Sequence, residues 1–157
     1  MDKLTDERYK RAQNTTDPEE LEKLAVDIDG MVRGEVAKNP NTPEFVLEKL
    51  AEDWRTPDGY GVSGSSSRSE VAQNECAPIS MLEKFAVEDD EMLRAAVAKN
   101  PNTPVSLMEK LLDDKDEYVR KQLARNIKTP ASLLEKMAKD ENDGVCEAAK
   151  ENPNFTV

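Results

Sequence analysis

Apolar residues in this chain fall in short clusters one helical turn apart, separated by charged stretches. An apolar-Glu-Lys-apolar box recurs five times, beginning at Leu21, Leu47, Leu82, Met108 and Leu134. Around the second box Val46, Leu47, Leu50 and Ala51 form one stripe, the pattern of a helix buried on a single side. Such helices, about ten residues long, open at Thr42-Pro43, Thr103-Pro104 and Thr129-Pro130. Thr is expected as the N-cap and Pro at the first helical position, where its missing N–H costs nothing. Asp17-Pro18 and Ala77-Pro78 open two further copies. A second helix follows an acidic turn such as Asp114–Glu117 and buries Val119, Leu123 and Ala124. It ends at an Asn, often just before a Pro, which cannot continue a helix.

That Asn marks a register. Asn14, Asn39, Asn74, Asn100, Asn126 and Asn152 are separated by 25, 35, 26, 26 and 26 residues. The boxes keep gaps of 26, 35, 26 and 26, so the period is 26, with about nine extra residues between Ala51 and Val71. One pair of short helices has too little core to fold alone, so each must be covered by its neighbours. The pattern predicts an all-α solenoid of about five helix-pair repeats, roughly eleven short helices and no β-sheet. A single domain over 1–157 is expected, with repeats at 4–26, 27–53, 67–88, 89–114 and 115–140, a C-terminal half-repeat at 141–155 and a loop insertion at 53–68.

Aligned on itself, the unit reads Val-Arg-x-x-Val-Ala-x-Asn-Pro-x-Thr-Pro-x-x-Leu-Leu-x-x-Leu-Ala-x-Asp, and residues 93–138 fit it best. This resembles the leucine-rich repeat variant family. The resemblance implies a right-handed solenoid in which α-helices alternate with short or 3₁₀ helices, and a role in macromolecular interaction. The iron–sulfur cysteine cluster of its best-known member is not carried over, because no cysteine precedes Cys76. Helix-pair families such as HEAT repeats have longer helices, and the Asn-Pro-x-Thr-Pro turn argues against them.

Charge narrows the partners. The net charge of −11 and the pI near 4.6 predict repulsion from DNA, RNA and anionic membranes, so neither direct nucleic-acid binding nor membrane binding is expected. Aromatic residues are only 4% of the chain, too few for base-stacking platforms. The absence of histidine removes Ser-His and Cys-His nucleophiles and the commonest metal ligand. Cys76 and Cys146 match no zinc or redox spacing and read as reduced thiols. No signal peptide or membrane-length apolar run is present, which predicts a cytoplasmic chain; no cofactor is expected, and the charged N-terminus and polar tail Asn152–Val157 argue for a monomer.

Several columns compete as sites. The Asn column (Asn39, Asn74, Asn100, Asn126) is either a row of ligand-binding amides or a ladder that satisfies turn groups between stacked repeats. Six residues ahead stand Arg8, Arg33, Arg68, Arg94 and Arg120, with Cys146 in the last unit. They form either an anion-gripping stripe or guanidinium groups pairing with acids of the preceding turn or repeat. The Glu-Lys pairs of the boxes are expected on a solvated face. Acidic turns join the two helices of every unit. Asp29, Asp90 and Asp116 are placed to cap the second helix, but the turns hold more acid than capping needs, and Asp89, Asp90, Glu91, Asp113, Asp114, Asp116 and Glu117 are candidate partner-binding residues along one acidic rim. Asp27-x-Asp29 and Asp114-x-Asp116 only weakly resemble calcium loops. Trp54, Arg55 and Tyr60 of the insertion are candidate contact residues, against a tolerated loop with Trp54 tucked on the core.

The function expected is a non-enzymatic protein–protein interaction module, an acidic repeat scaffold that binds a basic surface. The alternatives are an inhibitor or regulator that imitates nucleic-acid phosphates, and an enzyme of unknown class built on paired carboxylates.

Overall fold

The computed structural model describes residues 3–52 and 67–156. Among them are eleven α-helices and no strand. They fall into two compact units, Met1–Pro78 and Ile79–Val157. The N-terminal unit holds α1 (Lys3–Asn14), α2 (Pro18–Leu24), α3 (Gly30–Lys38), α4 (Glu44–Glu52) and α5 (Ser67–Gln73). The C-terminal unit holds α6 (Ile79–Phe85), α7 (Glu91–Lys99), α8 (Val105–Leu111), α9 (Glu117–Arg125), α10 (Ala131–Met137) and α11 (Asp143–Glu151).

Both units are built the same way. In the first, α1, α3 and α5 lie side by side, with α2 and α4 packed along them. In the second, α7, α9 and α11 form the row, and α6, α8 and α10 pack behind it. The periodicity explains the packing. Leu21, Val32, Val36, Leu47 and Leu50 bury the facing stripes of the N-terminal unit. Leu82, Leu93, Met108, Leu123 and Leu134 do so in the C-terminal unit. Each buried Leu or Met contributes about 1.5–3 kcal/mol. The helices behind the row are shorter than the ten residues expected, at seven to nine, and among the described residues all are α rather than 3₁₀.

Caps set the helix limits. Asp29, Asp90 and Asp116 accept from the N–H two residues on, and so open α3, α7 and α9. Asn142 does the same for α11 through the Val145 N–H. Asp17 caps α2, with Pro18 at the first helical position. The expectation that Thr caps the other helices is corrected. Pro104 and Pro130 occupy the cap position of α8 and α10, with ψ of 148° and 147° and no capping side chain. The Thr hydroxyls point the other way. Thr42, Thr103 and Thr129 donate to the carbonyls of Val36, Val97 and Leu123, at 2.5, 2.6 and 2.6 Å. Each thus joins the backbone N–H of the helix-ending Asn on a carbonyl in the last turn of the preceding helix. Burial decides this: a hydroxyl with no access to water must reach a partner, and that carbonyl offers a second lone pair beside the one taken by the Asn N–H.

Gly34 stands inside α3, and a Cβ placed there meets nothing within 4 Å.

Candidate functional site

Two sets of turns frame each row of longer helices. Exit turns follow the helices and carry the Asn column. Entry turns precede them and carry most of the acids.

At the exit turns the side-chain amides are fully engaged. Asn126 donates to Ala98 O and Asn100 O, both at 2.9 Å, and accepts from the Lys128 N–H at 2.9 Å. Asn152 repeats this one period later, donating to Ala124 O and Asn126 O and accepting from Asn154. In the N-terminal unit Asn74 donates to Ala37 O and Asn39 O, while Asn39 donates to Ala12 O and Thr15 O. Asn100 is buried and accepts from Asn102. Asn14 is exposed and turns back onto Lys10 O of its own helix. The helices end because the Asn backbone goes extended, at ψ of 124° for Asn39 and Asn100, 123° for Asn126 and 132° for Asn152. Asn126 adopts this before Ile127, where the other three precede Pro, so the amide network rather than the Pro imposes the turn.

The Arg column anchors the entry turns. Arg94 makes a two-pronged pair with Asp114, Nε–Oδ2 2.7 Å and Nη2–Oδ1 3.0 Å, and Arg120 pairs with Asp140 at 2.7 and 2.9 Å. The Arg94–Asp114 side chains are only 5% and 7% exposed. The remaining guanidinium nitrogen donates to backbone six residues back: Arg33 to Asp27 O, Arg94 to Glu88 O and Arg120 to Asp114 O, each at 2.8 Å. This corrects the expected geometry. The acid comes from the following entry turn, and the preceding turn contributes carbonyls instead. Arg8 likewise reaches forward to Asp27, at 3.2 Å. Arg68 is half-buried at the start of α5. Cys146 stands 3.0 Å from Asp140 O, so its thiol keeps the backbone contact of the column. Burial pushes the Asp114 carboxyl up, but hydrogen bonds from Arg94 and the Asp116 N–H outweigh it and hold the group below its ordinary value. The Arg120 hydrogen bonds lower Asp140 against the same opposing burial. Those bonds in turn raise both arginines.

The acids therefore divide. Asp27, Asp114 and Asp140 each bind an Arg and accept the N–H two residues on, and the next acid or Asn caps the helix. That division accounts for Asp27-x-Asp29 and Asp114-x-Asp116 without an ion. Among the described residues no group of three or more His, Cys, Asp or Glu is placed to hold a metal. Of the sequence candidates, Asp114 is spent on its ion pair, and Asp90 and Asp116 on caps. Asp89, Glu91, Asp113 and Glu117 remain exposed along the C-terminal unit. Asp89 approaches only Lys115, at 3.8 Å, and Glu117 accepts from Asn142.

The chain is similar to a solved structure described as a leucine-rich repeat variant with a novel repetitive protein structural motif. The two are 26% identical with a TM-score of 0.63, and the likeness covers 96% of this chain and 57% of the other. The fold is that of a leucine-rich repeat variant. No family model and no curated protein matches the sequence. This chain spans little more than half the length of the leucine-rich repeat variant it matches.

Within that fold, Trp54, Arg55 and Tyr60 lie outside the described residues. The Glu-Lys pairs are exposed except for half-buried Glu22, which Lys49 of the next box contacts. None of the described helices is long and apolar enough to cross a membrane. Sequence reasoning passed over the apolar side chains on the entry turns. Val26, Ile28 and Met31 are exposed in the N-terminal unit, and Val87, Met92 and Tyr118 in the C-terminal unit. The signal was present in the alignment, where Met31, Met92 and Tyr118 all follow the helix-capping Asp by two residues.

Proposed function

We propose that this leucine-rich repeat variant is a non-enzymatic interaction module whose entry-turn edge docks a basic protein surface. The observation that carries the reading is the surplus of acid. The entry turn into α9 spends Asp114 on Arg94 and Asp116 on the cap, and the turn into α7 spends Asp90 on its cap, yet Asp89, Glu91, Asp113 and Glu117 still face solvent there. Carboxylates crowded on one edge repel one another and gain from a cationic partner. Helical repeats supply the rigid extended surface such docking uses.

The test compares two charge-neutralised variants. One carries Asp89→Asn, Glu91→Gln, Asp113→Asn and Glu117→Gln. The other neutralises four exposed acids elsewhere in the same unit, Glu83, Glu109, Glu135 and Glu151. Binding of a labelled Gly/Lys peptide is followed by fluorescence anisotropy at low salt and at about 0.3 M, where screening acts within a few ångströms. Loss confined to the edge variant supports the proposal. Equal loss in both variants reduces the effect to net charge and overturns it.

A further inference from the structure

The entry-turn edges are apolar as well as acidic. The four most exposed large apolar side chains among the described residues are Ile28 at 87%, Val87 at 78%, Leu4 at 69% and Val26 at 63%. All four belong to these edges. Val26 and Ile28 flank Asp27 in the turn into α3, and Val87 occupies the place of Val26 in the turn into α7. Leu4 lies in the first turn of α1, four residues before Arg8, as Asp29 stands four residues before Arg33, and the Arg8–Asp27 pair ties that helix start to the same turn. Met31 and Met92 add one more half-exposed side chain to each unit.

Single exposed apolar residues scattered over a surface are ordinary. Among the described residues of the N-terminal unit, four of the five exposed large apolar side chains stand on its own entry-turn edge. In the C-terminal unit Val87 and Met92 stand among the exposed Asp89 and Glu91; apolar side chains rimmed by charge mark places of contact. Solubility explains acids on these turns but not isoleucine and valine beside them.

We infer that the occupant of each edge is an amphipathic segment of a partner protein, with apolar side chains along one face and Lys or Arg on either side. The inference rests on the reading of the edge as a docking surface and specifies its partner. Charge selects this occupant over the others. A second copy of this chain would bring acid against acid edge to edge, and an anionic bilayer would be repelled. A purely basic segment would leave Ile28 and Val87 in water. The unbranched Met31 and Met92 adapt readily to a helix laid against them.

The experiment uses the full chain and two labelled peptides of equal length and charge, the Gly/Lys peptide and a Leu/Lys peptide patterned as an amphipathic helix. The Leu/Lys peptide is expected to bind about ten-fold tighter or better. Val26→Ser with Ile28→Ser in one variant, and Val87→Ser with Met92→Ser in another, should each shrink that ratio while leaving Gly/Lys binding unchanged. Circular dichroism checks that both variants keep their helices. Equal affinity of the two peptides for the native chain overturns the inference and leaves the basic-partner reading standing. Failure of both peptides to distinguish edge from control acids removes that reading and the inference together. Sedimentation velocity supplies the last outcome: concentration-dependent dimers abolished by the Ser variants would assign the edge to a second copy and overturn the partner proposed.

Discussion

The two sides of the longer helices handle polarity in opposite ways. At the exit turns the amides of Asn126 and Asn152 are used up: both protons and the oxygen are bonded inside the protein. At the entry turns into α7 and α9 only part of the charge is used, and Asp89, Glu91 and Asp113 face water. A periodic residue is therefore not a functional residue by virtue of its period. What marks the entry turns is the excess over what the repeat consumes.

Adjacent residues give the sharpest way to break this contrast. Asp114→Ala strands the buried Arg94 guanidinium and is expected to lower stability by about 3 kcal/mol. Asp113→Ala, one residue away and exposed, should stay within about 0.5 kcal/mol. A urea melt of the two variants measures both, and equal losses would erase the distinction between spent and surplus acid. The same pairs set an acid limit. The carboxyls of Asp114 and Asp140 lie below their ordinary value in the folded chain, so their contribution is complete above the unfolded value. It drains away as the pH falls from about 3.9 through the depressed folded values. Stability measured from pH 6 to pH 2 should drop through that window, and Asp114→Ala should flatten part of the drop.

On the exit side, Asn126→Ala leaves two carbonyls and one N–H without their partner and should cost about 2 kcal/mol. A loss under about 0.3 kcal/mol in the same melt would show that the amide bonds are dispensable. The smallest effect is of opposite sign. Gly34→Ala adds a methyl into open space inside a helix and is expected to stabilise by about 0.5–1 kcal/mol, read as a rise in the urea midpoint.

The helices, their order and the buried stripe were legible because one period of 26 governs them all. Direction was not. Asp114 and Asp140 belong to the same alignment column, one period apart, so an acid six residues before Arg120 and one twenty residues after it are the same position twice. The column shows that Arg meets acid but not on which side the neighbour stacks. Arg120 takes the backbone of one copy and the carboxylate of the next. Cys146, facing Asp140 O, retains the first half of that arrangement. The Thr hydroxyls failed for a related reason. Thr129 stands between two helices, and only its complete burial, unseen in the sequence, decides that it closes the earlier one. The exposed apolar residues at the entry turns recur in register, as Met31, Met92 and Tyr118 do, but a lone Val or Ile in a charged turn reads the same whether it is buried or exposed.

The 35-residue gap acquires a plain meaning from the Asn74 hydrogen bonds. Asn74 reaches Ala37 O and Asn39 O across nine extra residues, just as Asn126 reaches Ala98 O and Asn100 O without them. In this architecture the coordinate that matters is position within a tile, not distance along the thread. Sequence can be spliced in between α4 and α5 without resetting the count. A whole tile of 26 residues can be duplicated or removed with every seam rejoined by the same kind of bond. A chain written this way changes length by copying, and new character enters where the seams leave room for it.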